Sequence, residues 1–143
     1  MRKIFSLIIL SLFALSCLSQ TVIESSYDKN SKKTGTIKTD SKGNKTYYDS
    51  NSQKQGTSRV SNGTETYYDK NGQKSGVAKT DNNGNKTYYN KNGQKQGTTR
   101  VSNGTETHYD KNGQKTGYTK TDAQGNKTHY DSNGRKTGTT KTK

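Results

Sequence analysis

The strongest constraint on the fold is a phrase that recurs every 20 or 21 residues along most of the chain. The segments between the copies alternate between two types, so the true repeat is a pair of half-repeats spanning 41 residues. Periodicity of this kind is typical of arrays of small supersecondary units, each contacting its neighbours. The six tyrosines that begin the copies are Tyr27, Tyr48, Tyr68, Tyr89, Tyr109 and Tyr130.

Each half-repeat predicts a β-hairpin. Asn71-Gly72 is a strong hairpin signal because both residues tolerate the positive φ that a type I′ turn requires. Asn62-Gly63, or the longer segment 81–84 in the alternate type, predicts the second turn. Thr, Tyr and Val lie between the turns, and the chain contains no proline. We therefore expect an all-β chain whose tandem β-hairpin repeats form an elongated meander or a narrow β-solenoid.

The first 19 residues differ in kind from the rest. Arg2 and Lys3 precede an apolar run followed by small residues, which is the layout of a secretory signal peptide. We therefore expect a signal peptide at 1–19, a short N-terminal segment at 20–26 and a repeat array of about six half-repeats at 27–143.

Two cleavage readings remain open for this signal. In one, the cut falls between Ser19 and Gln20; in the other, Cys17 becomes the lipidated first residue of an outer-membrane lipoprotein. Both predict a secreted or cell-surface protein, with membrane contact only through a lipid on Cys17.

Composition limits both the core and the choice of partner. After Leu18 the chain has no Leu, Phe, Met or Trp, so a largely disordered exported chain is an alternative. Its 25 basic residues outnumber 11 acidic ones, which favours an anionic partner. Outside the cytoplasm we expect an anionic polysaccharide or a cell-envelope polymer, with extracellular DNA as the one nucleic acid considered.

Strand alternation sorts the side chains into two columns. We expect the invariant column, Tyr27 through Tyr130, to pack inward. The variable column should then lie on the more exposed face; it comprises Tyr47, Tyr67, Tyr88, His108 and His129. The candidate glycan-binding residues combine stacking tyrosines with cations for anionic groups: Tyr47, Tyr67, Tyr88, Lys70, Lys91 and Arg100.

Catalytic chemistry has little support in the sequence. His108 and His129 are the only histidines and occupy equivalent repeat positions, whereas a catalytic residue normally has a unique setting. We interpret both as surface substitutions. Two histidines alone lack the further ligands of a zinc site, and the Asp-rich turns lack the acidic positions of a calcium loop. We therefore expect no enzyme activity, cofactor or metal.

The segment 121–135 resembles the YD repeat of the Rhs and teneurin class. Tyr130-Asp131, the following Gly134-Arg135 and the preceding Asp-x-x-Gly-Asn-x-Thr occur in the same order. In that family the repeats form strands that spiral into a large protein shell. This chain has lysine where the family usually has an apolar residue, which predicts that a closed shell is not formed; the positions are Lys74, Lys95, Lys115 and Lys136.

Two weaker resemblances point to the same fold class. The phrase is similar to the tandem hairpins of glucan- and choline-binding surface proteins, which build ligand pockets from Trp and other aromatics, and to the MORN-variant repeats of exported bacterial proteins. All three imply β structure and none identifies a ligand. We expect an exported protein with a structural or adhesive role that binds anionic glycan; the alternative is a matrix or fibre component that self-associates through open end strands.

Overall fold

A computed structural model describes residues 21–143, which form twelve antiparallel strands joined by short turns. The expected signal peptide and Cys17 lie outside the described residues. The strands are β1 (Val22–Asp28), β2 (Lys33–Thr39), β3 (Lys45–Asp49), β4 (Lys54–Ser61), β5 (Thr64–Asp69), β6 (Lys74–Thr80), β7 (Lys86–Asn90), β8 (Lys95–Ser102), β9 (Thr105–Asp110), β10 (Lys115–Thr121), β11 (Lys127–Asp131) and β12 (Lys136–Thr142).

The strands close into a barrel. Each pairs with its neighbours in sequence, and β1 also pairs with β12, with Ser26 opposite Thr140. The all-β hairpin meander is confirmed, but the elongated or solenoid form is wrong, because the two ends of the meander pair with each other. The lysines that argued against a closed shell, such as Lys74, are exposed and paired with outward-facing tyrosines, so they do not obstruct closure.

The first strand completes a threefold repeat. Residues 22–26, which the repeat phrase left outside the array, belong to β1. Glu24, Glu65 and Glu106 occupy the same position on β1, β5 and β9, 41 residues apart. The barrel therefore contains three four-stranded units, β2–β5, β6–β9 and β10–β12 with β1, and the third is assembled from both ends of the chain.

Each successive hairpin is displaced along the barrel. Gly56 on β4 pairs with Tyr47 on β3 and with Asp69 on β5. The residue of β5 that is equivalent to Tyr47 is Tyr67, so the pairing has moved by two residues from one half-repeat to the next. This displacement tilts the strands, as closure of a barrel requires. Each odd-numbered strand and the even-numbered strand that follows it also show one register shift. This shift is a β-bulge, which bends the strand.

A glycine follows each bulge for a steric reason. A Cβ built on Gly76 would lie 2.5 Å from the carbonyl oxygen of Tyr89 on the neighbouring strand, and one on Gly35 would lie 2.6 Å from that of Tyr48. Real Cβ atoms do not approach backbone this closely, so the two strands can only come together at glycine.

The turns are of two kinds. Asn62-Gly63 was predicted as a turn, and its φ values of 46° and 71° are those of a type I′ turn. The type I′ turn predicted for Asn71-Gly72 is wrong, because only Gly72 has a positive φ. In that turn the Asp69 carboxylate accepts hydrogen bonds from the backbone N–H groups of Asn71 and Gln73, at 2.9 and 2.8 Å, which makes it an Asx turn.

The inner face of the barrel is polar. Ala78 is the one buried hydrophobic residue between 21 and 143, whereas Ser58, Thr99 and Thr119 are each at most 3% exposed. No buried side-chain N or O atom in this part of the chain lacks a hydrogen-bond partner. Stability therefore comes mainly from the closed ladder of backbone hydrogen bonds and a satisfied polar interior.

Within residues 21–143, no helix has the length and apolar character needed to cross a bilayer.

Candidate functional site

The tyrosines expected on the exposed face lie in the barrel interior. Tyr47 and Tyr67 alternate with the buried small residues of the neighbouring strands, and the Tyr47 hydroxyl lies 3.3 Å from Ser58 Oγ and 3.4 Å from Glu65 Oε1. Burial raises the pKa of both phenols, and the nearby Glu65 carboxylate raises both further. The predicted face assignment is therefore reversed. It failed because the variable column packs against small side chains, whereas the invariant column carries the cations described below.

The two histidines extend this interior layer as a hydrogen-bonded chain. The ring nitrogens of His108 lie 2.9 Å from the hydroxyls of Thr99 and Thr119, and those of His129 lie 3.0 and 2.9 Å from Thr119 and Thr140. Their interpretation as surface substitutions is wrong. Each histidine takes the place of an interior tyrosine and bridges the threonines on both neighbouring strands.

A second interior layer alternates acidic and basic residues. Lys45 Nζ lies 3.4 Å from Glu65 Oε1, and Lys127 Nζ lies 3.7 Å from Glu24 Oε1. Burial raises the pKa of the Glu65 carboxyl, but the Ser58 hydroxyl at 2.6 Å and the Lys45 ammonium outweigh it, so the net pKa is below its usual value. Around the barrel the layer comprises Glu24, Lys45, Glu65, Lys86, Glu106 and Lys127.

The remaining acidic residues between 21 and 143 all lie in a turn or directly before one, where their carboxylates accept hydrogen bonds from the turn backbone. The Asp81 carboxylate accepts hydrogen bonds from the N–H groups of Asn83 and Asn85, at 2.9 and 2.8 Å, and from the Asn85 amide at 2.9 Å. These bonds hold the pKa of Asp81 below its usual value. The eight turn aspartates are Asp28, Asp40, Asp49, Asp69, Asp81, Asp110, Asp122 and Asp131.

Among residues 21–143, the outward-facing strand positions carry basic side chains and no acidic ones. Each even-numbered strand presents two exposed cations five residues apart, and the bulge between them places both on the outer face. We call these twelve residues the wall cations: Lys33, Lys38, Lys54, Arg59, Lys74, Lys79, Lys95, Arg100, Lys115, Lys120, Lys136 and Lys141.

The wall cations account for the net charge of the described chain. Without Arg2 and Lys3, 23 of the 25 basic residues face the 11 acidic ones, a formal charge of +12. Inside the barrel the number of lysines equals the number of glutamates, three of each. In the turns and at the chain end there are eight basic residues and eight aspartates, so these charges also cancel. The twelve uncompensated charges therefore lie on the outer wall.

One row of wall cations lies over tyrosine rings. The Arg59 guanidinium carbon is 5.7 Å from the centre of the Tyr68 ring, and that of Arg100 is 5.3 Å from the Tyr109 ring. Lysines occupy the same position over Tyr48, Tyr89 and Tyr27, at 5.3, 5.6 and 5.9 Å. Such cation–π contacts position the charged groups without neutralising them.

The third unit departs from this pattern at one position. Tyr118 replaces the smaller outward residue of the other units and stacks on Tyr130, with ring centres 4.7 Å apart. Lys120 accordingly lies over Tyr118, at 5.9 Å, and Lys115 covers the same ring at 4.7 Å.

The structure separates the six residues of the predicted glycan site. Tyr47, Tyr67 and Tyr88 face inward, Lys70 and Lys91 are exposed in turns at one end of the barrel, and Arg100 lies on the outer wall. Only Arg100 belongs to the wall cations. The signal that could have identified the others was the Lys-x-Gly phrase, because its glycine marks the bulge that brings two cations to one face.

Among the described residues, no three or more His, Cys, Asp or Glu side chains form a group that could hold a metal ion. No family model matches the chain, and a search of the curated proteins finds no match to it.

Proposed function

We propose that this protein is an exported, cell-surface or secreted barrel with an adhesive or structural role, which binds anionic polysaccharide through its outer wall. The observation that supports this most strongly is the segregation of charge: twelve exposed cations and no acidic side chain on the outer wall. Acidic residues that could have neutralised this surface are instead held in turns or in the interior.

The physical basis is the sum of many weak contacts. An exposed ion pair contributes at most about 1 kcal/mol, because water and salt screen it. A polymer that spans several wall cations at once adds such contacts at high effective concentration, so overall affinity can far exceed that of one site. Because the wall cations encircle the barrel, the protein could also contact more than one chain of a polymer network.

Dextran sulfate and dextran provide a direct test, since they share a glucan backbone and differ in charge. We expect the immobilised protein to retain dextran sulfate and polygalacturonate but not dextran, and to lose both acidic polymers as ionic strength rises. Equal retention of dextran and dextran sulfate would contradict the proposal. Tighter binding of duplex DNA than of either acidic polymer would instead identify extracellular DNA as the partner.

The fibre alternative loses its structural premise. Among residues 21–143 every strand is paired on both edges, so no open end strand is available for stacking. Self-association by another surface stays a prediction.

A further inference from the structure

Two grooves cross the outer wall at equivalent places. The first passes over β3, β4 and β5 and is lined by Asp40, Asn44 and Arg59 towards one end and by Lys54 towards the other. The second is lined by the residues 41 positions further along the chain, Asp81, Asn85, Arg100 and Lys95. In both grooves the aspartate carboxylate is already hydrogen-bonded to the backbone of its own turn. The grooves therefore belong to the 41-residue unit, not to the half-repeat.

The strand register places the same three residue types side by side at a third position on the barrel. In the first groove a central threonine pairs with a threonine on one side and a tyrosine on the other, and this arrangement occurs three times. The trios are Thr46, Thr57 and Tyr68; Thr87, Thr98 and Tyr109; and Thr128, Thr139 and Tyr27. The third trio spans the seam where β12 meets β1, so it exists only in the closed barrel.

The cation at the asparagine end of each groove, and the equivalent Lys141 at the seam, is held in the same way. Arg59, Arg100 and Lys141 lie over Tyr68, Tyr109 and Tyr27, at 5.7, 5.3 and 5.9 Å. Because the cation covers that face of the ring, the tyrosine is not available there for stacking against a sugar. The tyrosine is therefore a positioning residue, which holds the charged group of the cation above its ring.

The spacing of charges indicates an extended ligand. Lys54 and Arg59 lie five residues apart on β4, and because the bulge takes up one of these residues, they are separated by about 13 Å along the strand at ~3.3 Å per residue. A linear chain with repeated carboxylates or sulfates matches this spacing, because it can meet both cations without drawing their side chains together. Threonine hydroxyls between the two cations offer hydrogen bonds to sugar hydroxyls.

We infer that the barrel carries three equivalent grooves for segments of a linear acidic polysaccharide, one in each 41-residue unit, with the third assembled across the seam by Lys141 and Tyr27. This inference rests on the proposed function and adds to it a defined number of sites. The third site has a lysine ammonium where the other two have a guanidinium. It therefore lacks the group that can bind a carboxylate in bidentate fashion.

Isothermal titration of the purified protein with a size-defined hexamer of galacturonate tests the number of sites. We expect a stoichiometry of three, falling to two in each of Arg59→Ala, Arg100→Ala and Lys141→Ala, and staying at three in the turn control Lys91→Ala. A stoichiometry of one, or a uniform loss of affinity with no change in number, would overturn the inference. If polygalacturonate polymer binds but the hexamer does not, the discrete grooves are refuted and the proposed function stands; if neither binds, the proposed function fails.

Tyr68 distinguishes positioning from a purely structural role. Tyr68→Phe keeps the ring and should keep three sites, whereas Tyr68→Ala should lower the affinity of one site several-fold. Thermal melting of both variants shows whether the barrel is intact. Equal hexamer binding by a folded Tyr68→Ala protein would rule out the positioning role.

Discussion

His108 Nε2 lies 2.9 Å from the Thr119 hydroxyl oxygen in the barrel interior, and the same oxygen lies 3.0 Å from Nδ1 of His129. Thr119 has one proton to donate, so it can satisfy an unprotonated nitrogen on only one of the two rings while accepting from the other. With both rings protonated it would face two N–H donors and donate to neither. The network is therefore best satisfied when the imidazoles are neutral.

Stability should accordingly fall in mild acid. Burial lowers the pKa of His129 below 6.5, and Lys127 and His108 lower it further against the opposing charge of Glu106. A folded-state pKa below the unfolded value means that this stabilisation is present above about pH 6.5 and is lost as pH falls through the folded pKa. We expect a lower melting temperature at pH 5 than at pH 7.5, by circular dichroism.

His129→Tyr is the matched variant, because tyrosine occupies the equivalent position in Tyr47, Tyr67 and Tyr88. It should reduce the drop in melting temperature between pH 7.5 and pH 5. An unchanged drop would show that the acid sensitivity arises elsewhere.

The first two Asx turns should be improvable. Ser31 and Ser52 have φ values of 64° and 63°, where the later copies have glycine. A left-handed conformation strains a residue that has a Cβ. We expect Ser31→Gly and Ser52→Gly each to raise the free energy of unfolding by about 0.5–1 kcal/mol, measured by urea denaturation. Gly72→Ser should lower the free energy of unfolding by a similar amount. A loss of stability in both Ser31→Gly and Ser52→Gly would contradict this explanation.

The bulge glycines should tolerate no side chain. Gly76→Ala would force the Cβ against the Tyr89 carbonyl or separate the two strands, which should cost about 1–3 kcal/mol of unfolding free energy. Ser75→Ala changes the exposed residue beside it and serves as the control. If the two variants unfold at the same urea concentration, the steric account of these glycines is incorrect.

Closure should determine whether the protein stays monomeric. A variant that begins at residue 29 lacks β1 and leaves edges of β2 and β12 unpaired, while retaining all the wall cations. Exposed strand edges are templates for pairing with another chain. We expect concentration-dependent association by sedimentation velocity and loss of the cooperative melt, whereas a chain beginning at residue 20 stays monomeric. A monomeric truncated variant with an unchanged melt would show that the β1–β12 pair contributes little.

The sequence predicted the hairpins because their causes are local. Strand-forming residues alternate with turn residues, and Asn62-Gly63 alone specifies its turn type. Closure depends on pairing between strands more than 100 residues apart, which no local pattern encodes. Even so, the 41-residue spacing of Glu24, Glu65 and Glu106 was visible and indicated that the segment before Tyr27 belongs to the array.

The six residues predicted to form one glycan site lie apart in the structure for a related reason. Alternation separates two faces but does not say which is concave, because that depends on closure. The better indicator was side-chain size: Gly56 and Ser58, on the strand beside Tyr47, leave room for a large side chain on the inner face. The cations on the other face then become the exposed surface.

Two matched six-residue variants test whether the wall cations bind the polysaccharide. One replaces the six wall cations Lys38, Arg59, Lys79, Arg100, Lys120 and Lys141 by glutamine. The other replaces the six basic residues in turns at one end of the barrel: Lys29, Lys32, Lys70, Lys91, Lys111 and Arg135.

Both variants lose six positive charges, and the measurement is binding to dextran sulfate at fixed ionic strength. We expect the wall variant to bind at least about tenfold more weakly than the turn variant, because only the wall cations lie on an uncompensated surface. Equal loss of affinity in the two variants would show that total charge, not the outer wall, determines binding, and would contradict the account.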